Sequence, residues 1–338
     1  MKAVVLYGPG DVRLGELPEL PLGSEDVRVK VAYCGICGSD FHKVAGKKNT
    51  HPVKYPVALG HEISGVIAEV GDKVTAFKLG DRVTVDPNWS CGGCYYCRAG
   101  KPSFCENGRG VVKGMAQYVV SPAKNVYPLP EKLSMRAAAL AEPLACCLHG
   151  MDLLDVHQGE RVALIGFGAI GAIMLQLLRL SGAGEIVVIE YNPARRDAAL
   201  AQGADIFLCS QNAEEVAAYA AENPIDRVIE CVGVPAAQES ALAVAGKGAT
   251  VVMFGVADSA QRVPVSFYDA FSKELTIKTS FINPHTTERA LRVLAREDFR
   301  ADDIIHTTLS MEKAVEEFKA PYHTKFGKVL VEIDPALE

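Results

Sequence analysis

Two rhythms of apolar and polar positions divide the chain. Up to about residue 145, runs such as VRVKVAYCG, GVIAEVGD and DRVTVDP alternate or are rich in β-branched residues, and Gly, Pro and Asp punctuate them. That is the pattern of short strands joined by turns. Around LSMRAAALAEPLACCLHGMDLL, Ala and Leu dominate and the pattern turns helical. From Arg161 onward, RVALIG predicts a buried strand, AIGAIMLQLLRLSG a helix closed by Gly182, EIVVIE a second strand and PARRDAALAQG a helix with Pro in its first turn. DIFLC, DRVIECVG and ATVVMFG extend the series as strands between Ala-rich helical stretches. Strands alternating with helices of about 10 to 15 residues predict right-handed βαβ units and a parallel sheet, an α/β architecture. Near the C-terminus, TTERALRVLARE and MEKAVEEFK predict helices and KVLVEI a closing strand. No repeat, low-complexity tract or long linker interrupts the 338 residues, a length that suits about two domains.

Composition narrows the function classes. Lys plus Arg number 35 against 41 Asp plus Glu, a net charge of −6 that gives no support to a nucleic-acid or anionic-membrane partner. The N-terminus turns polar after one short apolar run and does not read as a secretory signal. No apolar stretch reaches the roughly 18 residues of a membrane span. A cytoplasmic protein is expected. Its ten cysteines then read as metal-binding or catalytic rather than disulfide-bonded. Cys209 and Cys231 close apolar runs and are expected to be small buried hydrophobes, and Cys146 and Cys147 to pack on a helix.

Gly166 to Gly171, GFGAIG, follows a predicted strand and opens a predicted helix, and Glu190 ends the next strand nineteen residues after Gly171. This context makes G-x-G-x-x-G a dinucleotide-binding fingerprint. Gly166 permits a tight turn, Gly168 lets backbone approach a pyrophosphate, and Gly171 allows close helix–strand packing. The helix start at Ala169 and Ile170 offers amide donors to phosphates. Glu190 would accept hydrogen bonds from a ribose diol and repel a 2′-phosphate, which favours NAD over NADP. Arg195 and Arg196 lie beyond it, and one of them could still reach a phosphate.

Cys91, Cys94, Cys97 and Cys105 are separated by two, two and seven residues. Such spacing lets four thiolates converge on one tetrahedral ion, zinc being the usual occupant, although iron–sulfur clusters also take four cysteines. Full coordination leaves no position for water or substrate, so this site would be structural. The stretches YCGICGSDFH and LGHEISGVIAEVGDKV supply a second set: Cys37, Ser39, Asp40, His42, His61 and Glu62. Cys37 and His61 with a glutamate, Glu62 or Glu142 of AEPLACC, satisfy a catalytic zinc, with Asp40 orienting His61 from behind. Cys34 and Cys37 could equally form a C-x-x-C redox pair.

GHEISGVIAEVGDKV fits the signature G-H-E-x2-G-x5-G-x2-V of zinc alcohol dehydrogenases without a break. With CGICGSDFH, the four-cysteine lobe and GFGAIG in the same order, the whole chain resembles the zinc-dependent medium-chain dehydrogenases. AEPLACCLHG and SFINPHTTERAL are similar to the sorbitol (polyol) dehydrogenase branch. The resemblance implies a mainly-β GroES-like catalytic domain (1–145, structural zinc lobe 88–108), a doubly wound Rossmann NAD-binding domain (146–283) and a segment (284–338) returning to the first. It implies that Cys37, His61 and Glu62 bind catalytic zinc, with Glu142 exchanging onto the metal or holding its water. It also implies that Ser39 and His42 pass the alcohol proton to solvent. Two zinc ions per chain, NAD, a homodimer or homotetramer, and reversible oxidation of a secondary alcohol, a sugar alcohol or related polyol, to a ketone follow as expectations. Alternatives within the same chemistry are a sugar phosphate, a hydroxy-amino acid or a simple alcohol. A non-catalytic NAD-binding protein would need none of the Cys37 set. Two departures stand out. ENGRGVVKGM is shorter than the corresponding polyol-dehydrogenase segment, and the loop HKVAGKKNTHPVKYP carries Lys43, Lys47, Lys48, Lys54 and His51. Such a charge run is either a solvated face or an attraction for an anionic substrate.

Overall fold

The computed structural model describes residues 1–47, 53–320 and 327–337. Lys48 and His51 lie outside the described residues. Two compact units divide the chain: Met1–Ala145 with Asn283–Glu338, and Cys146–Ile282.

The first unit opens with β1 (Lys2–Gly8), β2 (Asp11–Glu16) and β3 (Asp26–Gly35), followed by β4 (Val57–Ala58), β5 (Glu62–Val70) and β6 (Arg82–Val85). β7 (Asn88–Trp89), β8 (Arg109–Gly110), β9 (Tyr118–Pro122) and β10 (Val126–Pro128) complete its N-terminal part. β3 is the central strand. Its alternation buries Val27, Val29 and Val31, while from Ala32 to Gly35 every residue is buried because protein covers both faces. Burying one Val side chain contributes about 1.5–3 kcal/mol, so the alternating segment alone fixes which face turns inward. Antiparallel pairing of β3 with β5 sets Gly35 opposite Glu62 and Cys34 opposite Ile63. The site residues are thereby brought to the end of a rigid ladder.

In the second unit, β11 (Arg161–Ile165), β12 (Glu185–Glu190), β13 (Ile206–Cys209), β14 (Arg227–Glu230), β15 (Thr250–Met253) and β16 (Thr276–Thr279) form one parallel sheet. Its order is β13-β12-β11-β14-β15-β16, reversing direction at β11 as in a doubly wound fold. Val162–Ile165 and Ile186–Ile189 are buried throughout, as expected of strands covered on both faces. Helix Ala169–Leu180 ends at Ser181 and Gly182, the latter at φ 86°, so the predicted glycine stop is present. The predicted PARRDAALAQG helix is instead a 3-10 turn (Pro193–Arg195) leading into a short helix (Arg196–Ala201). Cys209 and Cys231 are half-buried rather than buried, because each lies where its strand emerges from the sheet.

After the second unit the chain re-enters the first through helices Thr287–Leu294 and Met311–Glu317 and the strands β17 (Ile305–Ser310) and β18 (Lys328–Glu332). β18 pairs antiparallel with β3, Leu330 opposite Gly35. The large sheet therefore runs β10-β6-β5-β3-β18-β17 and draws its middle from both ends of the sequence.

Candidate active site and metal centres

One thiol, one imidazole and one carboxylate converge in the first unit: ligand atoms of Cys37, His61 and Glu62 all lie within 4.8 Å of one another. Cys37 caps the N-terminus of helix Gly38–Val44, where its side chain faces the Asp40 amide and the Asp40 carboxylate accepts from Cys37 N at 3.2 Å. His61 follows Gly60, whose φ of 82° turns the chain into β5. Asp40 is fully buried, accepts from Gly60 N at 3.1 Å and lies 3.8 Å from His61 Nδ1. Burial pushes the Asp40 carboxyl up, but the Lys43 ammonium, His61 and the Gly60 N–H outweigh it and hold it well below the usual carboxylate range. Burial likewise lowers His61, and bonds to Asp40 and Cys37 reverse the sign and raise it well above its ordinary value. The ring is therefore clamped between an anion behind it and a thiol in front.

Glu62 carries a partner that sequence reasoning missed. Lys328 Nζ lies 2.7 and 2.8 Å from its two oxygens and 3.3 Å from Ile36 O, and both side chains are almost wholly buried. A Cβ at residue 35 would fall 1.9 Å from Glu62 Oε2, so glycine opposite Glu62 is a condition of the pair. The only trace of Lys328 in the sequence is a cation heading the buried run KVLVEI; its partner is 266 residues away. Glu142, in the first turn of helix Ala141–Leu154, is outside the converging trio but feels the charges of His61, Glu62 and Lys328. Burial is the main reason its carboxyl is pushed up to about 7. Ser39 and His42 lie three residues apart on helix Gly38–Val44, neighbours on one helix face, and both are half-buried. Cys34 is buried, and burial raises its thiol well above the usual range. It packs against Gly60 and Gly114, and a buried thiol held protonated is a weak nucleophile for exchange with Cys37.

The thiols of Cys91, Cys94, Cys97 and Cys105 also lie within 4.8 Å of one another. Cys94 caps the short helix Tyr95–Arg98, and Cys105 follows the turn Pro102–Phe104, so two tight turns fold the ligands inward. Backbone N–H groups of Gly93 and Cys94 lower the Cys91 thiol to about 6, favouring a thiolate. The donor chemistry separates the two centres. Four thiolates complete a tetrahedron, whereas thiolate, imidazole and carboxylate leave one corner open.

In the second unit, Gly166 has φ 90°, and a Cβ on Gly171 would sit 2.1 Å from Gly166 O, which only glycine permits. A Cβ on Gly168 would meet no atom within 4 Å, leaving space above the turn where helix Ala169–Leu180 begins with its free amides. These features fit a bound pyrophosphate. Glu190 ends β12, but its oxygens accept from Phe167 N (2.6 Å) and Asn192 N (2.8 Å). Arg195 Nη1 is 3.3 Å from the same carboxylate and donates to Phe167 O. Sequence reading thus located Glu190 but not its ion pair. A carboxylate offers about four lone pairs, so ribose hydroxyls can still be accepted. Arg196 stacks on Phe207 instead, 5.8 Å from the ring centroid.

Residues 23–131 match the alcohol dehydrogenase GroES-like domain and residues 169–296 the zinc-binding dehydrogenase domain. Together with the full-length relatives that follow, these matches show that the chain belongs to the zinc-dependent medium-chain dehydrogenases, with a GroES-like domain and a Rossmann domain. The sorbitol dehydrogenase of Bacillus subtilis (strain 168) is 30% identical over 322 residues, 93% of this chain and 91% of its own. A zinc-binding dehydrogenase from Sinorhizobium meliloti 1021, whose crystal structure holds NADP, superposes with a TM-score of 0.91 at 35% identity and 98% coverage of both chains. Galactitol-1-phosphate dehydrogenase from Escherichia coli superposes at 0.89 with 29% identity, over 98% of this chain and all of its own. The chain is an alcohol- or polyol-type dehydrogenase, and among the described residues no helix is long and apolar enough to cross a membrane.

Proposed function

We propose that the protein reversibly oxidises a secondary alcohol of a sugar alcohol or related polyol to a ketone, with NAD preferred over NADP. The observation that carries this reading is the convergence of Cys37, His61 and Glu62 with one tetrahedral corner open. When bound there, zinc supplies a Lewis acid that polarises an alcohol oxygen, and the dinucleotide supplies the hydride acceptor. Cys37, His61 and Glu62 hold the metal, Lys328 keeps Glu62 oriented, and Glu142 stands ready to hold a water or exchange onto the ion. Ser39 and His42, adjacent on one helix face, move the alcohol proton towards solvent. Gly166, Gly168, Ala169, Ile170 and Gly171 cradle the pyrophosphate, and Glu190 takes the ribose diol. Cys91, Cys94, Cys97 and Cys105 hold a second zinc that braces their lobe without bond-making.

NADP is the second reading of the cofactor, favoured by Arg195 beside Glu190 and by the dinucleotide held in the Sinorhizobium meliloti relative. A reducing, cytoplasmic setting suits four thiols gathered as metal ligands at Cys91, Cys94, Cys97 and Cys105. A homodimer or homotetramer is supported by β16, an edge strand, flanked by helix Phe267–Lys273 with Phe267, Tyr268 and Phe271 exposed. The deciding experiment is a panel of polyols, simple alcohols and hydroxy-amino acids assayed for absorbance at the reduced nicotinamide band, with NAD and NADP in parallel. Turnover of polyols with NAD is expected. Equal rates with NADP would defeat the Glu190 argument, and no turnover of any alcohol would defeat the reading as a whole.

A further inference from the structure

In the second unit, β11 ends between two buried acids. Glu190 ends β12 and Glu230 ends β14, the strands on either side of β11. Each carboxylate accepts from the backbone N–H two residues further on, Asn192 N at 2.8 Å and Val232 N at 2.6 Å. They differ in reach. Glu190 keeps 6% of its surface, whereas Glu230 keeps none and offers a bound molecule no contact of its own.

Glu230 instead knots two loops together. Its Oε1 also accepts from Gly233 N at 2.7 Å, and its backbone carbonyl accepts from both Phe254 N and Gly255 N at 2.9 Å, just past the end of β15. The loops touch backbone to backbone. A Cβ at Gly255 would lie 2.1 Å from Gly233 N, and a Cβ at Gly233, where φ is 80°, would lie 2.6 Å from Val256 O. The loop after β14 presses in turn on the glycine fingerprint, where a Cβ at Gly166 would meet Val232 Cγ2 at 2.4 Å. Among the described residues the other carboxylate oxygen, Oε2, is buried with no hydrogen-bond partner, so Oε1 does the holding. Both loops lie outside the carboxyl ends of their strands, beside the strand where the sheet order reverses, which is where doubly wound sheets receive ligands. There they present Val232 and Val256, 43% and 76% exposed, as apolar surface. Loops fixed beforehand spare a ligand the entropic cost of ordering them.

We propose that Glu230 is a positioning residue for the dinucleotide, its carboxylate fixing the loops after β14 and β15 so that Val232 and Val256 form a preset apolar wall of the cofactor crevice. This rests on the reading of Gly166–Gly171 as a dinucleotide-binding turn and adds the group that holds the neighbouring loops in place.

The test titrates NADH into zinc-loaded wild type, Glu230→Met, Glu230→Gln and Gly255→Ala, followed by the fluorescence of the reduced nicotinamide. KM for NAD and kcat are measured beside it on an alcohol that the wild type turns over, and thermal midpoints report folding. Glu230→Met should weaken NADH binding at least tenfold and raise KM for NAD by a similar factor, with kcat at saturating NAD within threefold of the wild type. Glu230→Gln keeps a carbonyl acceptor for both N–H groups and replaces an oxygen that accepts nothing, so NADH binding should return to within threefold of the wild type. Gly255→Ala leaves Glu230 in place but forces the loops apart, and it should also weaken NADH at least tenfold. Weakening of less than tenfold in Glu230→Met, or in Gly255→Ala where Glu230→Met does not fold, overturns the proposal. So does a Glu230→Gln variant as weak as Glu230→Met, or a loss that falls on kcat instead of KM. A wild type that binds neither NADH nor NADPH overturns the dinucleotide reading itself, and the role of Glu230 with it.

Discussion

Lys328→Met isolates the feature on which the trio's geometry depends. The substitution keeps the length of the stem and removes the ammonium that contacts both oxygens of Glu62 at 2.7 and 2.8 Å. Both side chains are 4% exposed or less, so solvent cannot replace the lost cation. Removing one partner of a buried pair costs about 3–5 kcal/mol, because the remaining charge stays buried without compensation. Against a typical domain stability of about 5–15 kcal/mol, this is a large fraction. Unfolding in guanidinium chloride, with chelator present throughout so that metal affinity does not enter, can be followed by tryptophan fluorescence. The chain has one tryptophan, Trp89, which lies in the same unit as the pair and is flanked by Arg109 and Lys124 at 4.6 and 4.5 Å from its ring centroid. With an m-value of about 4 kcal/mol/M, the midpoint should fall by about 1 M. Adding Glu62→Gln should recover more than half of the loss, since replacing both partners removes the uncompensated charge. A single variant within about 1 kcal/mol of the wild type, or a double variant no better than the single one, would refute the reasoning.

Three further outcomes follow from the geometry. Gly35→Ala places a methyl 1.9 Å from Glu62 Oε2 and should destabilise by about 1–3 kcal/mol, measured by the same unfolding assay. Cys94→Ser should lose one zinc and lower the thermal midpoint by several degrees while turnover per zinc-loaded molecule stays within about threefold, since a closed four-thiolate site does no chemistry. Glu142 is raised from 4.5 to about 7 in the folded, metal-free protein, so the folded state binds more protons than the unfolded state between those values. Its contribution to stability is full below about pH 4.5 and is lost as pH rises through about 7. Glu142→Gln should flatten that decline in metal-free protein, which a pH series of denaturation midpoints measures.

Local signals carried much of this molecule. Two-residue alternation located β3 and β5, short apolar runs located β11 to β15, and the glycine fingerprint located the strand-to-helix turn, because each is written in a few consecutive residues. The four-cysteine lobe was legible for the same reason, its ligands lying within residues 91–105. What escaped depends on pairing between distant segments. Lys328 meets Glu62 only because β18 comes back beside β3, and no spacing rule connects residues 266 positions apart. The ion pair of Arg195 with Glu190 was missed because the sequence suggested one continuous helix where a 3-10 turn bends the arginine back.

The most prominent cysteines are also the least chemical ones under the proposed function, in which the reaction lies at Cys37, His61 and Glu62. Metal analysis tests that division directly when combined with turnover in Cys37→Ser. Wild-type protein should carry about two zinc ions per chain, and Cys37→Ser about one, with dinucleotide binding retained and alcohol oxidation abolished. A Cys37→Ser protein that keeps both ions, or that oxidises alcohols at the wild-type rate, would contradict the assignment of the two centres.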